Sequence, residues 1–183
     1  MTNFELGTRV PFIIRDPSIP ASHGKVTQSF AELVDLYKTL ADLAGLPAPD
    51  SSKVQGRSLK ASLLAPDDPG HEYAFSQFAK ADNRHGKPWN TCMHCHRDQI
   101  DYMGLAIRSD KFRLVQWYAW DKQKERVDFD TLHAEELYPH EGDEGTDFDL
   151  YENENLANSS ALQPAKEALQ ARLLQHFAGD WAG

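Results

Sequence analysis

The sequence predicts an α/β protein, and three observations carry that expectation. The run Val10-Pro-Phe-Ile-Ile14 is short, continuously apolar and closed by Asp16-Pro17, as in a strand buried on both faces of a parallel sheet. An amphipathic helical pattern follows it between Ser29 and Leu43. Two β-rich runs, Tyr102 to Arg108 and Phe112 to Tyr118, are joined by Ser109-Asp-Lys111, which is the pattern of an antiparallel hairpin.

The elements follow in order. Pro11 removes one ladder donor and pushes the first strand toward a strand end. Residues 18–25 form a Pro-, Ser- and Gly-bearing loop. Ser29-Phe-Ala-Glu32 has the spacing of a capping box. Behind it Phe30, Leu33, Val34, Leu36, Tyr37, Leu40 and Leu43 recur at helical spacing until Gly45 and Pro47 stop the helix. A proline-bearing linker with one short turn near Leu59 to Leu64 leads to Tyr73 to Phe78, which alternates like a strand. Phe112, Trp117, Tyr118 and Trp120 on the hairpin are expected to cover a core. A last helix from about Leu162 to Phe177 carries Leu162, Ala165, Leu169, Leu173 and Phe177 on one stripe.

The expected organisation is therefore a strand and helix over 1–47, a linker over 48–72, and an antiparallel subdomain with its closing helix over 73–183. This is unbalanced. A parallel-type strand needs parallel neighbours and helices on both faces, and nothing else in the chain offers a second such unit. The first part looks like the end of a sheet whose other strands lie elsewhere.

Charge and composition narrow the function classes. The chain has 183 residues, with 19 Lys+Arg against 28 Asp+Glu and a formal net charge of −9, and it carries no basic stripe. It is a poor nucleic-acid binder on that ground. No apolar run approaches the roughly 20 residues that span a bilayer. The first residues lack a basic segment followed by an apolar one, so no signal peptide is visible and the compartment stays unknown. Between Asp121 and Asn155 stand 13 acids and 3 bases, a net of −10, so this stretch accounts for the whole imbalance. A divalent-cation site would use clustered carboxylates, but no calcium-loop spacing is present. The stretch is expected to be a solvated acidic loop, with His133 and His140 at its flanks carrying little.

Several blocks then match a known family. Thr2-Asn-Phe-Glu-Leu-Gly-Thr-Arg-Val-Pro-Phe-Ile13 resembles the segment after the last active-site motif of sulfatases, particularly the iduronate-2-sulfatase-like group. The helix Ala31 to Pro47 is similar to the next family block, and Phe75-Ser-Gln-Phe78, with Lys80 behind it, resembles the family's Ser-Gln-Tyr strand. Tyr102 to Trp117 resembles its C-terminal hairpin, and Glu136-Leu-Tyr138 with Glu154-Asn-Leu-Ala157 its closing motif. The blocks keep the family's order from residue 2 to about 157.

The resemblance implies the C-terminal part of an alkaline-phosphatase-like sulfatase fold, acting on sulfated sugars. The family's nucleophile is a formylglycine made from the cysteine of Cys-x-Pro/Ala-x-Arg, and its metal is calcium held by Asp/Asn side chains. Here His94 stands two residues after Cys92 and Arg97 two after Cys95, so neither cysteine fits, and the paired-aspartate motif is absent. The family's sulfate-binding lysine would fall just ahead of Met1. The resemblance thus implies a non-catalytic chain without a cofactor of its own, completed by an N-terminal sulfatase chain or region. Its relatives are usually exported. Lys80, Arg84, His85 and Trp89 are the candidate contacts for a sulfated sugar, since anions favour basic side chains and sugar faces favour Trp.

Thr91-Cys-Met-His-Cys-His96 offers a competing signal. Cys-x-x-Cys-His is the haem c attachment pattern, with His96 as axial ligand. A zinc reading takes Cys92 and Cys95 with His94, His96 or His85, but no second half-site is evident.

Overall fold

The computed structural model describes residues 2–47, 50–51, 53–67, 70–81, 96–147 and 150–180. It divides into two compact units, one of residues 1–9 with 75–183 and one of residues 10–74.

The larger unit is built on a four-stranded sheet in the order β1 (Ala74–Lys80), β2 (Tyr102–Arg108), β3 (Phe112–Asp121) and β4 (Arg126–Pro139). The expected hairpin is present as β2 and β3. They pair antiparallel from Tyr102↔Ala119 to Arg108↔Arg113, and Ser109 closes the turn by accepting from and donating to Phe112. Leu105, Ile107, Leu114, Val115 and Leu137 are fully buried, and Trp117, Tyr118 and Trp120 lie in the core as their aromatic character predicts. The closing helix α4 (Gln163–Asp180) packs on β2 and β3, burying Leu169, Leu173 and Phe177 at i, i+4 and i+8. Lys166 is also buried there, held by Glu135 at 3.0 Å and by the Ala157 carbonyl at 2.9 Å.

Gly104 has no freedom to be anything else. It stands opposite Trp117, and a Cβ at residue 104 would lie 2.6 Å from that indole and 2.8 Å from the Asn3 amide. The missing side chain lets the ring lie on the backbone of β2.

The first half of the acidic stretch is not a loop. β4 runs through it and pairs with β3 toward both ends, Arg126 opposite Asp121 and Pro139 opposite Phe112, with register shifts around Tyr118. The acids that hid this strand have partners. Glu135 takes the Gln116 amide at 2.7 Å as well as Lys166, and Glu136 takes the Trp117 indole N–H at 2.6 Å and the Tyr138 hydroxyl at 3.0 Å. The Glu136 charge and burial together push the Tyr138 hydroxyl well above its ordinary pKa, burial contributing most.

In the smaller unit the sequence expectation holds only in part. Residues 10–14 form no strand, and Ile13 is 90% exposed. The helix is α2 (Asp35–Leu43), starting later than the capping-box spacing suggests. Ser29 is drawn away: its hydroxyl accepts the His71 N–H at 2.9 Å and donates to the Phe30 carbonyl. Asp35 takes over at the helix start, accepting the Glu32 N–H at 2.9 Å and the Arg57 N–H at 2.8 Å. The helix is also turned over. Asp35 and Thr39 are buried at 1% each, while Leu33, Tyr37 and Leu40 are more than 60% exposed. The short turn near Leu59 is present as α3 (Lys60–Leu64). No helix among the described residues is long and apolar enough to cross a membrane.

Candidate functional site

The densest chemistry lies at one end of the sheet, where the hairpin turn brings two arginines face to face. Arg108 ends β2 and Arg113 lies opposite it near the start of β3, both at least 90% buried. Two guanidiniums cannot share a buried volume unless carboxylates stand between them. Glu5 does this from the first helical turn, α1 (Glu5–Thr8), with Oε2 accepting Arg108 Nε at 3.2 Å and an Arg113 Nη2 hydrogen bond. Arg113 further donates to the Asn3 carbonyl at 2.8 Å and through Nε to Glu152. Arg108 further donates to Asp143 at 3.1 Å and to the Ser109 carbonyl.

His140 completes the cluster. It is 1% exposed, with Nδ1 2.8 Å from an Asp143 oxygen and Nε2 3.2 Å from a Glu152 oxygen. Each ring nitrogen thus faces a carboxylate, and the imidazole bridges Asp143 and Glu152. Three acids, Glu5, Asp143 and Glu152, stand among Arg108, Arg113 and the His140 ring. Arg9, half-exposed, adds a contact to Glu5 at 3.2 Å. Tyr151 stacks on His140 with centroids 5.7 Å apart.

The electrostatics follow from this packing. For both Asp143 and Glu152 burial works to raise the carboxyl pKa. The His140 hydrogen bond, a backbone N–H (from Gly145 or Glu5) and the nearby guanidinium outweigh it, so both end below the carboxylate range. Burial and the neighbouring Arg113 pull the Arg108 guanidinium down, against the pull of Glu5 and Asp143.

Glu5, His140 and Glu152 also present ligand atoms within 4.8 Å of one another, which is metal-like spacing. The donor set does not fit a cation. The Glu5 and Glu152 carboxylates and both imidazole nitrogens are spent on hydrogen bonds within the cluster, and two buried guanidiniums would repel an ion. The arrangement is a clamp. It fastens residues 3–9 to the hairpin and to the 140–152 segment, and the Asn3 side chain adds bonds to the Gly104 carbonyl at 3.1 Å and to the Ser76 hydroxyl at 3.1 Å.

Of the residues proposed from sequence, Lys80 ends β1, exposed, with its ammonium 3.8 Å from the centre of the Trp117 ring. Arg84, His85, Trp89, Cys92, His94 and Cys95 lie outside the described residues. His96 is exposed at the head of a short turn, its N–H bonded to Gln99 at 3.0 Å, and it joins no cluster of metal ligands among the described residues. His140, which the sequence marks only as a flank of the acidic stretch, is instead the centre of the clamp. One signal for the clamp was present in the sequence: the four residues Ser109 to Phe112 set Arg113 opposite Arg108, and such a pair on buried strands demands acids.

No family model matches the chain. Individual relatives do. It is 29% identical to mouse iduronate 2-sulfatase over 82% of the chain and 34% of the relative, and 26% identical to the human iduronate 2-sulfatase over the same shares. It is 30% identical to an arylsulfatase of Clostridium perfringens over 69% of the chain and 27% of that protein. The chain thus spans about a third of the length of the iduronate 2-sulfatases it matches. These matches support a sulfatase-like C-terminal portion, and over most of its length the chain is sulfatase-like.

Proposed function

We propose that this chain is the C-terminal part of a sulfatase of the iduronate-2-sulfatase-like group, with an alkaline-phosphatase-like α/β fold, serving the hydrolysis of sulfate esters on sulfated sugars. The observation that carries the reading is the similarity to iduronate 2-sulfatase along 82% of the chain. Within such an enzyme the chain supplies scaffold and cleft rim. Attack on a sulfate ester needs an activated nucleophile and cationic charge on the non-bridging oxygens. Neither Cys92 nor Cys95 stands in a Cys-x-Pro/Ala-x-Arg context. The clamp supports the scaffold role, because it holds residues 3–9 rigidly to the sheet. In the resemblance, the sulfate-binding lysine lies directly ahead of that segment. Lys80, with Arg84, His85 and Trp89, is assigned to the sugar-facing rim.

The test is an assay of the purified chain on 4-nitrocatechol sulfate with calcium present. No turnover above a heat-killed control is expected. Turnover by the chain alone would overturn the division of labour proposed here.

A further inference from the structure

His140 is held on both sides by groups that only accept hydrogen bonds. Its side chain is fully buried, with Nδ1 2.8 Å from Asp143 Oδ2 and Nε2 3.2 Å from Glu152 Oε1. A neutral imidazole has one N–H and one lone pair. It satisfies one of these carboxylates and turns its lone pair on the other, a conflict that burial makes costly. A ring with both protons donates to the two at once.

The two carboxylates differ in what they hold. Asp143 Oδ2 also takes Arg108 at 3.1 Å, and its other oxygen takes the Gly145 N–H at 2.7 Å. Glu152 is the one that reaches residues 3–9. Its Oε1 faces His140 Nε2 and accepts from Arg113 Nε, while its Oε2 accepts the Glu5 N–H at 2.6 Å. Burial works to raise the Glu152 carboxyl, and the His140 hydrogen bond is the largest of the contacts that outweigh it. The Nε2 contact is the longer of the two at His140. A ring left with one proton therefore keeps it on Nδ1 and opposes a lone pair to the carboxylate that anchors Glu5.

The other groups around the ring leave histidine as the one that titrates. Tyr151 stacks on it, and behind the two carboxylates stand Arg108, Arg113 and Glu5, with Arg9 on Glu5. Tyr138, at the end of β4, has its hydroxyl bonded to Glu136. Lys111 contributes its carbonyl, which accepts the His140 N–H at 2.7 Å, and is itself exposed, as are Glu141 and Glu144. Histidine is the residue type whose ordinary charge change falls between about pH 5 and 8.

We infer that His140 is a proton-operated latch: with both nitrogens protonated it locks residues 3–9 to the hairpin through Glu152, and loss of the Nε2 proton as pH rises loosens them. The grip is firm on the acid side of neutrality and weakens on the alkaline side. Residues 3–9 lead into the smaller unit, which begins at residue 10, so the latch sets how firmly that chain connection is held at its start. It belongs to the clamp and works whether or not the chain serves a sulfatase.

Long-range 1H–15N correlation spectra of the full 183-residue chain count the protons on each histidine nitrogen, and amide exchange reads the grip. At about pH 6 His140 is expected to show two protonated nitrogens, and at about pH 8.5 a protonated Nδ1 with a bare Nε2. Protection of the Glu5 amide, corrected for the intrinsic pH dependence of exchange, should fall at least about tenfold over that interval, while the β2–β3 strands stay level. His140→Gln should leave the Glu5 amide weakly protected at both pH values, which separates His140 from the other histidines of the chain. If that variant unfolds, Glu152→Gln serves: its amide can donate to a bare Nε2, so the response should flatten. A ring with a single proton at about pH 6 overturns the latch. So does a Glu5 amide equally protected across the interval, or a pH response that survives the substitution.

Discussion

Arg108 and Arg113 face each other across the β2–β3 hairpin, and a single oxygen of Glu5, over a hundred residues away in sequence, accepts from both. The pair would repel without that carboxylate, so Glu5 is a structural requirement of the hairpin end. Glu5→Gln leaves two buried cations short of one counter-charge and should cost about 3–5 kcal/mol, the range for breaking a buried pair from one side. Urea denaturation of the variant beside wild type measures this, and a loss below 1 kcal/mol would show that the clamp is not a stabilising unit.

The clamp also sets an acid limit. Asp143 and Glu152 have folded-state pKa values below their ordinary 3.8 and 4.5. A depressed carboxylate contributes stability that is fully present above its unfolded pKa and lost as pH falls through the folded one. Stability should therefore fall as pH drops below about 4.5. Glu152→Gln, already weaker at pH 7, should show a shallower decline between pH 5 and pH 3 in denaturation series, and parallel curves would refute the assignment.

Gly104 gives a packing prediction. Gly104→Ala places a methyl 2.6 Å from the Trp117 ring, against the paired strand, so the indole must move. Overpacking of this kind costs roughly 1–3 kcal/mol. The thermal midpoint and the tryptophan emission maximum should both shift, and a variant unchanged in both would contradict the close approach.

Glu125 predicts the opposite sign. It sits in the β3–β4 turn with φ of +50°, a conformation that side chains with a Cβ resist. Its contact with Arg97, at 2.8 Å, joins two exposed side chains and contributes little. Glu125→Asn, which tolerates that conformation, should stabilise by about 0.5–1 kcal/mol. Destabilisation would mean that the ion pair outweighs the backbone.

The parts legible in the sequence are those whose burial follows local periodicity. The hairpin, the strand at Phe75 and the α4 stripe of Leu169, Leu173 and Phe177 all bury their own apolar residues against a neighbour. β4 was hidden because Glu135 and Glu136 sit on it as charges, and their partners Lys166, Gln116 and Trp117 come from other elements. α2 misled in the other direction. Its apolar stripe is real, but Asp35 and Thr39 find enough partners in residues 57–59 to hold the polar side inward. His140 was unreadable for a similar reason: only the folded chain brings Asp143 and Glu152 to its two nitrogens.

The clamp has a consequence for the order in which the protein is made. The Glu5 N–H bonds to a Glu152 side-chain oxygen, 147 residues later in the chain. Until that later segment is synthesised, the Glu5 backbone lacks this partner. Contacts so distant along the chain form slowly, because a large loop must close first. Residues 3–9 therefore lock only after the hairpin arginines and the acids of the 140–152 segment are both in hand.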